Sequence, residues 1–247
     1  MAEPKWLQDM NPEEYLKEDF EATGHSRYTV DGLEKNDPEW LDKAAAKVNA
    51  AEGDDYVKLD SGLLTVNQIN WMLRNTFGEM TYVDDNNQFL WYNRPQDPNY
   101  KMKAGRVPAQ VGNTMGAVHP DIRDVIPTAK KVVHALRTKE GGHDAVWMPV
   151  PTGNLTELVL HYYKRVEDEE GNYMGIYEWV QDIYPFVKYF CESTGQKLVV
   201  DPDAATGATY RRNSDPDAKT GPSTKADAAK EEVKAAEPEA TSGASHH

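Results

Sequence analysis

Apolar and polar residues alternate with the period of a β-strand in two separate parts of the chain. Apolar runs at about residues 80–84 and 88–92 flank an Asp-Asp-Asn-Asn turn, whose side chains bond to the local backbone. Further runs follow at Ala145–Val150, 155–166 and Tyr173–Asp182, with a polar turn at 168–172 before the third. The pattern predicts two strands, an interruption and then three strands.

Helical spacing appears before and between these strands. Residues 65–77 place Val66, Ile69, Met72, Leu73 and Phe77 on one helical face, with Thr65 as N-cap. A second helix is predicted at about 121–138, where Pro127 is expected to divide it. Asn11-Pro12 and Asp37-Pro38 are helix-start signals, which predict short N-terminal helices, including one at about 38–50.

This order of elements is typical of an α+β fold. A five-stranded antiparallel sheet with helices on one face is the economical arrangement, because the apolar face of the sheet must be covered. We therefore expect an acidic N-terminal helical extension (1–57), a sheet domain (58–190), and a linker with a disordered low-complexity tail (191–247). The tail carries one aromatic residue after Pro202, Tyr210, which is too little apolar surface to offset chain entropy.

Charge and composition narrow the range of partners. Residues 1–55 hold 15 acidic and 6 basic residues, and the whole chain carries a net charge of -14. Such a chain repels phosphate backbones, so we expect no nucleic-acid partner. No apolar run approaches membrane-spanning length, and a single Cys191 suits a reducing compartment. We therefore expect a cytoplasmic protein without a membrane partner.

Two segments resemble the PAS domain superfamily. Residues 80–93 are similar to the strand, turn and strand with which PAS domains begin, and Gly-Ile-Tyr-Glu-Trp-Val-Gln-Asp-Ile at 175–183 is similar to their last strand. Gly112 and His119-Pro120 resemble a Gly-Arg and His-Pro-Pro pattern in bacterial and archaeal stand-alone members. Asn113, Val118 and Asp121 depart from that pattern. The resemblance implies a pocket between sheet and helices, with haem, flavin or small metabolites as ligands in some members.

His119 is the leading candidate for a residue that contacts a ligand. A neutral imidazole beside a pocket can bind haem iron axially or hydrogen-bond a ligand. Alternatively, His119 precedes a helix start, with Pro120 in the first turn and Asp121 at the positive end of the helix dipole. Both interpretations remain open, and haem is therefore a candidate cofactor with His119 as its metal ligand.

The other candidate ligand-binding residues surround the same expected pocket: Met115, His161, Trp147, Tyr177 and Trp91. Whether His161 faces inward depends on strand register, since a slip of one residue reverses it. The aromatic residues can also form core or a dimer face. Lys103 and Arg106 are candidates for an anionic ligand or for solvated loop cations, and His134 is expected at an exposed helix edge.

No hydrolase, nucleotide-binding or metalloprotease motif is present in the sequence, so we expect no enzyme activity. The leading hypothesis is a small-molecule sensor that signals through a homodimer or a partner protein. A haem-binding protein using His119 is the first alternative. A ligand-free interaction module is the second.

Overall fold

The structure is a computed structural model that describes residues 3–21, 26–94, 97, 99–119, 125–150, 152 and 156–199. The strands in this part of the chain are β1 (Tyr56–Leu59), β2 (Gly62–Thr65), β3 (Glu79–Asp84), β4 (Phe89–Tyr92), β5 (Ala145–Val150), β6 (Val159–Glu167) and β7 (Tyr173–Asp182). The helices are α1 (Lys5–Gln8), α2 (Pro12–Tyr15), α3 (Trp40–Val48), α4 (Val66–Arg74), α5 (Met115–Val118), α6 (Ile126–Thr138) and α7 (Tyr184–Thr194), with short 3₁₀ turns at Pro108–Gln110 and Glu140–Gly142.

Within the described residues, five strands form an antiparallel sheet in the order β4-β3-β7-β6-β5. This confirms the predicted α+β fold and sheet. The strand expected at 155–166 begins later, at Val159. Strands β1 and β2 form a separate hairpin, and neither this hairpin nor α7 was expected. Helix α7 continues across residue 190, the expected end of the sheet domain, while residues 200–247 lie outside the described residues.

Helix α4 follows its local signals. Thr65 accepts a hydrogen bond from the Gln68 backbone N–H at 3.1 Å, and the Gln68 side chain accepts from the Thr65 N–H at 2.8 Å. This reciprocal capping box satisfies two donors that the first turn of a helix leaves unpaired. The predicted start of α4 is therefore confirmed.

Helix α6 departs from the prediction at its first turn. Pro127 does not divide the helix, because it lies in that turn, where a missing N–H removes no internal hydrogen bond. The expected start at about residue 121 lies outside the described residues. Along its length, α6 places Val132, Val133 and Leu136 against the sheet. We call the sheet face covered by α5 and α6 the inner face.

The N-terminal segment, by which we mean residues 3–21 and 26–48, contributes side chains to the core. Leu7 and Phe20 are buried in the same cluster as α6 and the sheet, while Trp40 belongs to a second cluster with Phe89 and Val111. At Gly112, whose φ is +87°, a Cβ atom would stand 2.0 Å from the Trp40 ring. Glycine is therefore required there for both backbone conformation and space.

Acidic residues of this segment cover the basic side of α6. Glu18 lies 2.8 Å from His134 Nδ1 and 3.3 Å from Arg137 Nε, and Glu3 pairs with Lys131 at 2.7 Å. The expectation that His134 is exposed is therefore wrong. Its side chain is only 16% exposed, because the N-terminal segment closes over the polar edge of the helix.

Candidate functional site

A cavity of about 70 Å³ lies between the inner face of the sheet and helices α5 and α6. By the same measure a water needs roughly 10–15 Å³, so the space suits several waters or a small organic molecule. Most of its wall is apolar, comprising Val83, Phe89, Met115, Val125, Ala129, Val132, Val133 and Ile176. The polar part comprises Thr81, Asn87, Arg106, His119, Thr128, Tyr163 and Glu178.

A buried ion pair forms one side of this cavity. Arg106 Nη2 donates to Glu178 Oε2 at 2.9 Å, and the two side chains are 9% and 11% exposed. Burial by itself raises the pKa of Glu178, but the His161 side chain and the charge of Arg106 outweigh it and lower the pKa to about 2. Glu178 is therefore ionised at neutral pH, and the pair carries no net charge.

The loop that carries Arg106 is held by another buried carboxylate. Glu79, at the start of β3, is 1% exposed and accepts hydrogen bonds from the backbone N–H groups of Lys103 and Ala104 at 2.5 and 2.7 Å. The Tyr100 hydroxyl donates to the same carboxylate at 3.1 Å. These bonds tie the loop to the start of β3 and bring Arg106 over the inner face.

One donor of Arg106 is left over. Its Nε atom is buried and makes no hydrogen bond within the described part of the chain. A buried N–H without an acceptor is costly, and more so when it belongs to a charged group. The wall of the cavity therefore contains a hydrogen-bond donor that folding alone leaves unsatisfied.

His119 stands where α5 ends. Its Nδ1 lies 3.1 Å from the Met115 carbonyl oxygen, which can only accept, so Nδ1 carries the proton and Nε2 is the acceptor nitrogen. Burial lowers the pKa of His119, and the nearby charge of Arg106 lowers it further. The imidazole is therefore neutral. Pro120 and Asp121, on which the alternative helix-start interpretation of His119 depends, lie outside the described residues.

The structure brings together some of the predicted ligand-binding residues. His119 and Met115 line the cavity. His161 is on the inner face but stands behind the cavity wall, with Nδ1 3.0 Å from the Tyr163 hydroxyl and 3.4 Å from Glu178 Oε1. It therefore supports the polar side of the cavity from behind.

Three predicted residues, Trp91, Trp147 and Tyr177, lie on the opposite face of the sheet, which we call the outer face. Trp91 shares this face with Tyr177 because both are cross-strand partners of Tyr82. Tyr177 falls between Ile176 and Glu178, which line the cavity, and successive strand residues point to opposite faces. Trp147 stacks on Tyr162 with ring centroids 4.2 Å apart and is 54% exposed. The expectation that these aromatic residues line the cavity is therefore corrected.

The prediction missed Glu178 and Tyr163 and left Arg106 undecided. A signal for Glu178 was present, because a carboxylate between Ile176 and Val180 occupies an inward position of an otherwise apolar alternation. The partner of that carboxylate was not visible, since Arg106 lies 72 residues earlier in the sequence. Lys103, by contrast, is partly exposed and pairs with Glu157.

The residues present do not fit a haem group. A porphyrin is far larger than a cavity of about 70 Å³, and its wall carries a charged Arg–Glu pair in addition to His119. No cluster of three or more His, Cys, Asp or Glu side chains suited to a metal ion occurs among the described residues. In the same part of the chain, every helix is too short or too polar to cross a membrane.

The fold and cavity define a PAS-type domain, with a five-stranded antiparallel sheet and a pocket under helices. A family model described as a PAS domain matches residues 69–184. A crystal structure of a C-terminal domain from Streptococcus mutans is 33% identical, covers 56% of this chain and 99% of that chain, and has a TM-score of 0.49. On the match of this family model, the chain belongs to the PAS domain family.

A second solved structure is more distant. It is the crystal structure of a VqmA–ligand–DNA complex from Vibrio cholera. The matched chain is 17% identical in sequence to this one, the match covers 56% of this chain and 61% of that chain, and the TM-score is 0.33. A search of curated proteins found no match.

Proposed function

We propose that this protein is a cytoplasmic sensory module, which binds a small molecule in the cavity and passes the signal to a second copy of the chain. The observation that carries the proposal is the buried Arg106–Glu178 pair beside a largely apolar cavity. The proposal involves no catalytic step.

The ion pair argues for a binding role over a purely structural one. Buried ion pairs contribute little net stability, and well-packed apolar residues of similar volume are often equal or better. Here the pair borders empty space and leaves Arg106 Nε without an acceptor. An interior shaped for stability alone would fill that space, so the ligand-free module is the weaker hypothesis.

The binding test is a ligand search with a cavity-filling variant. Ala129 lines the cavity from α6, and Ala129→Leu extends a side chain into the space with only a small loss of helix propensity. We expect small molecules extracted from the purified protein, or found in a fragment screen by thermal shift, to be retained by the wild type and lost by this variant. Ala46→Leu on the exposed side of α3 is the matched control. Failure of both searches on the wild type would contradict the proposal.

A surface for a second copy lies away from the cavity. Phe77, Phe186, Tyr189 and Phe190 line a shallow hollow and are 73%, 43%, 74% and 56% exposed. We call these residues the apolar platform. The rings of Phe77 and Phe186 pack edge to face with their centroids 5.2 Å apart. The apolar platform therefore extends from α7 to the residues that follow α4.

The chain itself offers little to cover this platform. Leu7, Phe20 and Trp40 of the N-terminal segment are already buried in the core. Residues 200–247 contain no Leu, Ile, Met, Phe or Trp. A second copy presents a matching apolar platform, and two-fold pairing makes the same patch self-complementary.

The pairing test is the mass in solution by light scattering. We expect a dimer for the wild type and a monomer for Phe77→Ser combined with Tyr189→Ser, because both exposed rings contribute contact area. Tyr28 is another exposed aromatic residue, and it is not part of the apolar platform. The Tyr28→Ser variant is therefore the control and should remain a dimer. A monomeric wild type, or a dimer that survives the double substitution, would remove this part of the proposal.

A further inference from the structure

The cavity wall presents a hydrogen-bond donor and a hydrogen-bond acceptor. The donor is Arg106 Nε–H, which is buried and has no partner in the described part of the chain. The acceptor is His119 Nε2, because Nδ1 of the same ring donates to the Met115 carbonyl at 3.1 Å. Both side chains line the cavity. A complementary ligand therefore carries an acceptor and an N–H or O–H donor.

The charge of the wall favours a neutral ligand. Glu178 already supplies the negative charge that balances Arg106, at 2.9 Å. A carboxylate ligand would place a second negative charge beside Glu178 in a region of low dielectric, where like charges repel strongly. A neutral oxygen accepts from the charged Arg106 donor without this repulsion, and hydrogen bonds to charged groups are the stronger kind.

The size and the remaining wall restrict the carbon skeleton. A space of about 70 Å³ admits a molecule with only a handful of heavy atoms. Beyond the polar groups, that molecule contacts Met115, Val132 and Ile176 among other apolar side chains. These apolar contacts favour a ligand whose carbon skeleton is a short aliphatic group.

We infer that the site recognises a small neutral amide-like molecule, whose carbonyl oxygen accepts from Arg106 Nε and whose N–H donates to His119 Nε2. This inference rests on the proposed function and names the ligand class of its cavity. It distinguishes amides from ketones, which lack the donor, and from carboxylates, which add a charge.

The test compares three probes that share one branched skeleton: isobutyramide, 3-methyl-2-butanone and isobutyrate. Each is titrated into the full chain and followed by chemical shifts of backbone amides near the cavity. We expect isobutyramide to bind at least about tenfold more tightly than isobutyrate, with the ketone between them. Ala129→Leu should abolish the response, whereas Ala46→Leu should preserve it.

Two variants assign the contacts. His119→Phe should bring isobutyramide down to the affinity of the ketone, because it removes the acceptor Nε2; it also removes the hydrogen bond from Nδ1 to the Met115 carbonyl, which does not face the ligand. Arg106→Met leaves Glu178 buried without its partner and is expected to fold poorly. The double variant Arg106→Met with Glu178→Met replaces the pair by apolar residues, and it should fold and lose the preference for the amide.

Isobutyrate binding as tightly as isobutyramide would overturn the inference, as would an amide preference that survives in His119→Phe and in the double variant. Failure of all three probes would overturn it as well. In that case, ligands found in the screen and blocked by Ala129→Leu would leave the proposed function standing, whereas their absence would contradict both.

Discussion

The N-terminal segment and the hairpin with α4 have opposite relations between local structure and burial. In the N-terminal segment, α1 and α2 each span about one turn, yet Leu7, Phe20 and Trp40 are 0%, 6% and 4% exposed. The hairpin β1–β2 and helix α4 have regular pairing and a full capping box. No residue from 56 to 77 is buried, and Trp71, Met72 and Phe77 are more than half exposed.

The two regions are held in their conformations in different ways, one by tertiary contacts and the other by local hydrogen bonds. One-turn helices are not stable in water, so the N-terminal segment depends on its contacts with α6 and the sheet. A two-stranded hairpin and a nine-residue helix are also marginal alone, and here they have regular hydrogen bonds but no core. Well-formed local structure therefore does not identify the buried part of this molecule.

The largest effect is expected from Trp40→Ala. Trp40 is 4% exposed and packs against Gly112, so its removal leaves a cavity that the glycine cannot fill. We expect the free energy of unfolding to fall by about 3–5 kcal/mol, measured by urea denaturation. Leu41→Ala on the same helix, 61% exposed, should change it by less than about 0.5 kcal/mol. Similar losses at both positions would contradict the burial of this segment.

A smaller effect is expected from Glu18→Ala. Its carboxylate contacts His134 and Arg137, and its removal leaves both α6 side chains without this acceptor. We expect a loss of about 2 kcal/mol, since hydrogen bonds to charged groups contribute at that level. The exposed Glu34 gives the control Glu34→Ala, which should be close to neutral. No difference between the two variants would mean that the N-terminal segment does not hold α6.

The smallest effect on global stability is expected from Thr65→Ala. Losing the capping box should destabilise α4 locally by about 1 kcal/mol. The global free energy of unfolding should hardly change, because no residue of this unit is buried. Hydrogen exchange should speed up in the α4 amides and remain unchanged in β6 and β7. Equal acceleration in the sheet would show that the hairpin and α4 belong to the same cooperative unit.

Elements that depend on interactions between near neighbours in the sequence could be predicted, and elements without such signals were missed. Strands β5 and β7 could be predicted to the residue because their alternation and flanking turns are local. The hairpin β1–β2 was missed because each strand has four residues and their apolar side chains are not buried. Helix α7 was also missed, although Phe186, Tyr189 and Phe190 follow the i, i+3, i+4 spacing of a helical face; that apolar face is exposed rather than buried.

In the candidate site, too, local sequence signals identified some residues but not those that depend on long-range contacts. His119 and Met115 were found from a resemblance in a local motif, and both line the cavity. Trp147 and Tyr177 were assigned to the wrong face, since alternation tells which residues share a face but not which face the helices cover. Arg106 and Glu178 meet only after the loop and β7 are folded together.

Local sequence signals were enough to predict the PAS-type order of strands and helices, the cap of α4 and the acidic character of the N-terminal segment. These depend on periodicity, turn chemistry and composition, which act between near neighbours. Three features depend on the folded arrangement of distant segments: the acidic segment covers α6, Arg106 faces Glu178, and a cavity remains beside them. Burial and pairing between distant residues are set by packing, and packing is not encoded in any single stretch of the chain.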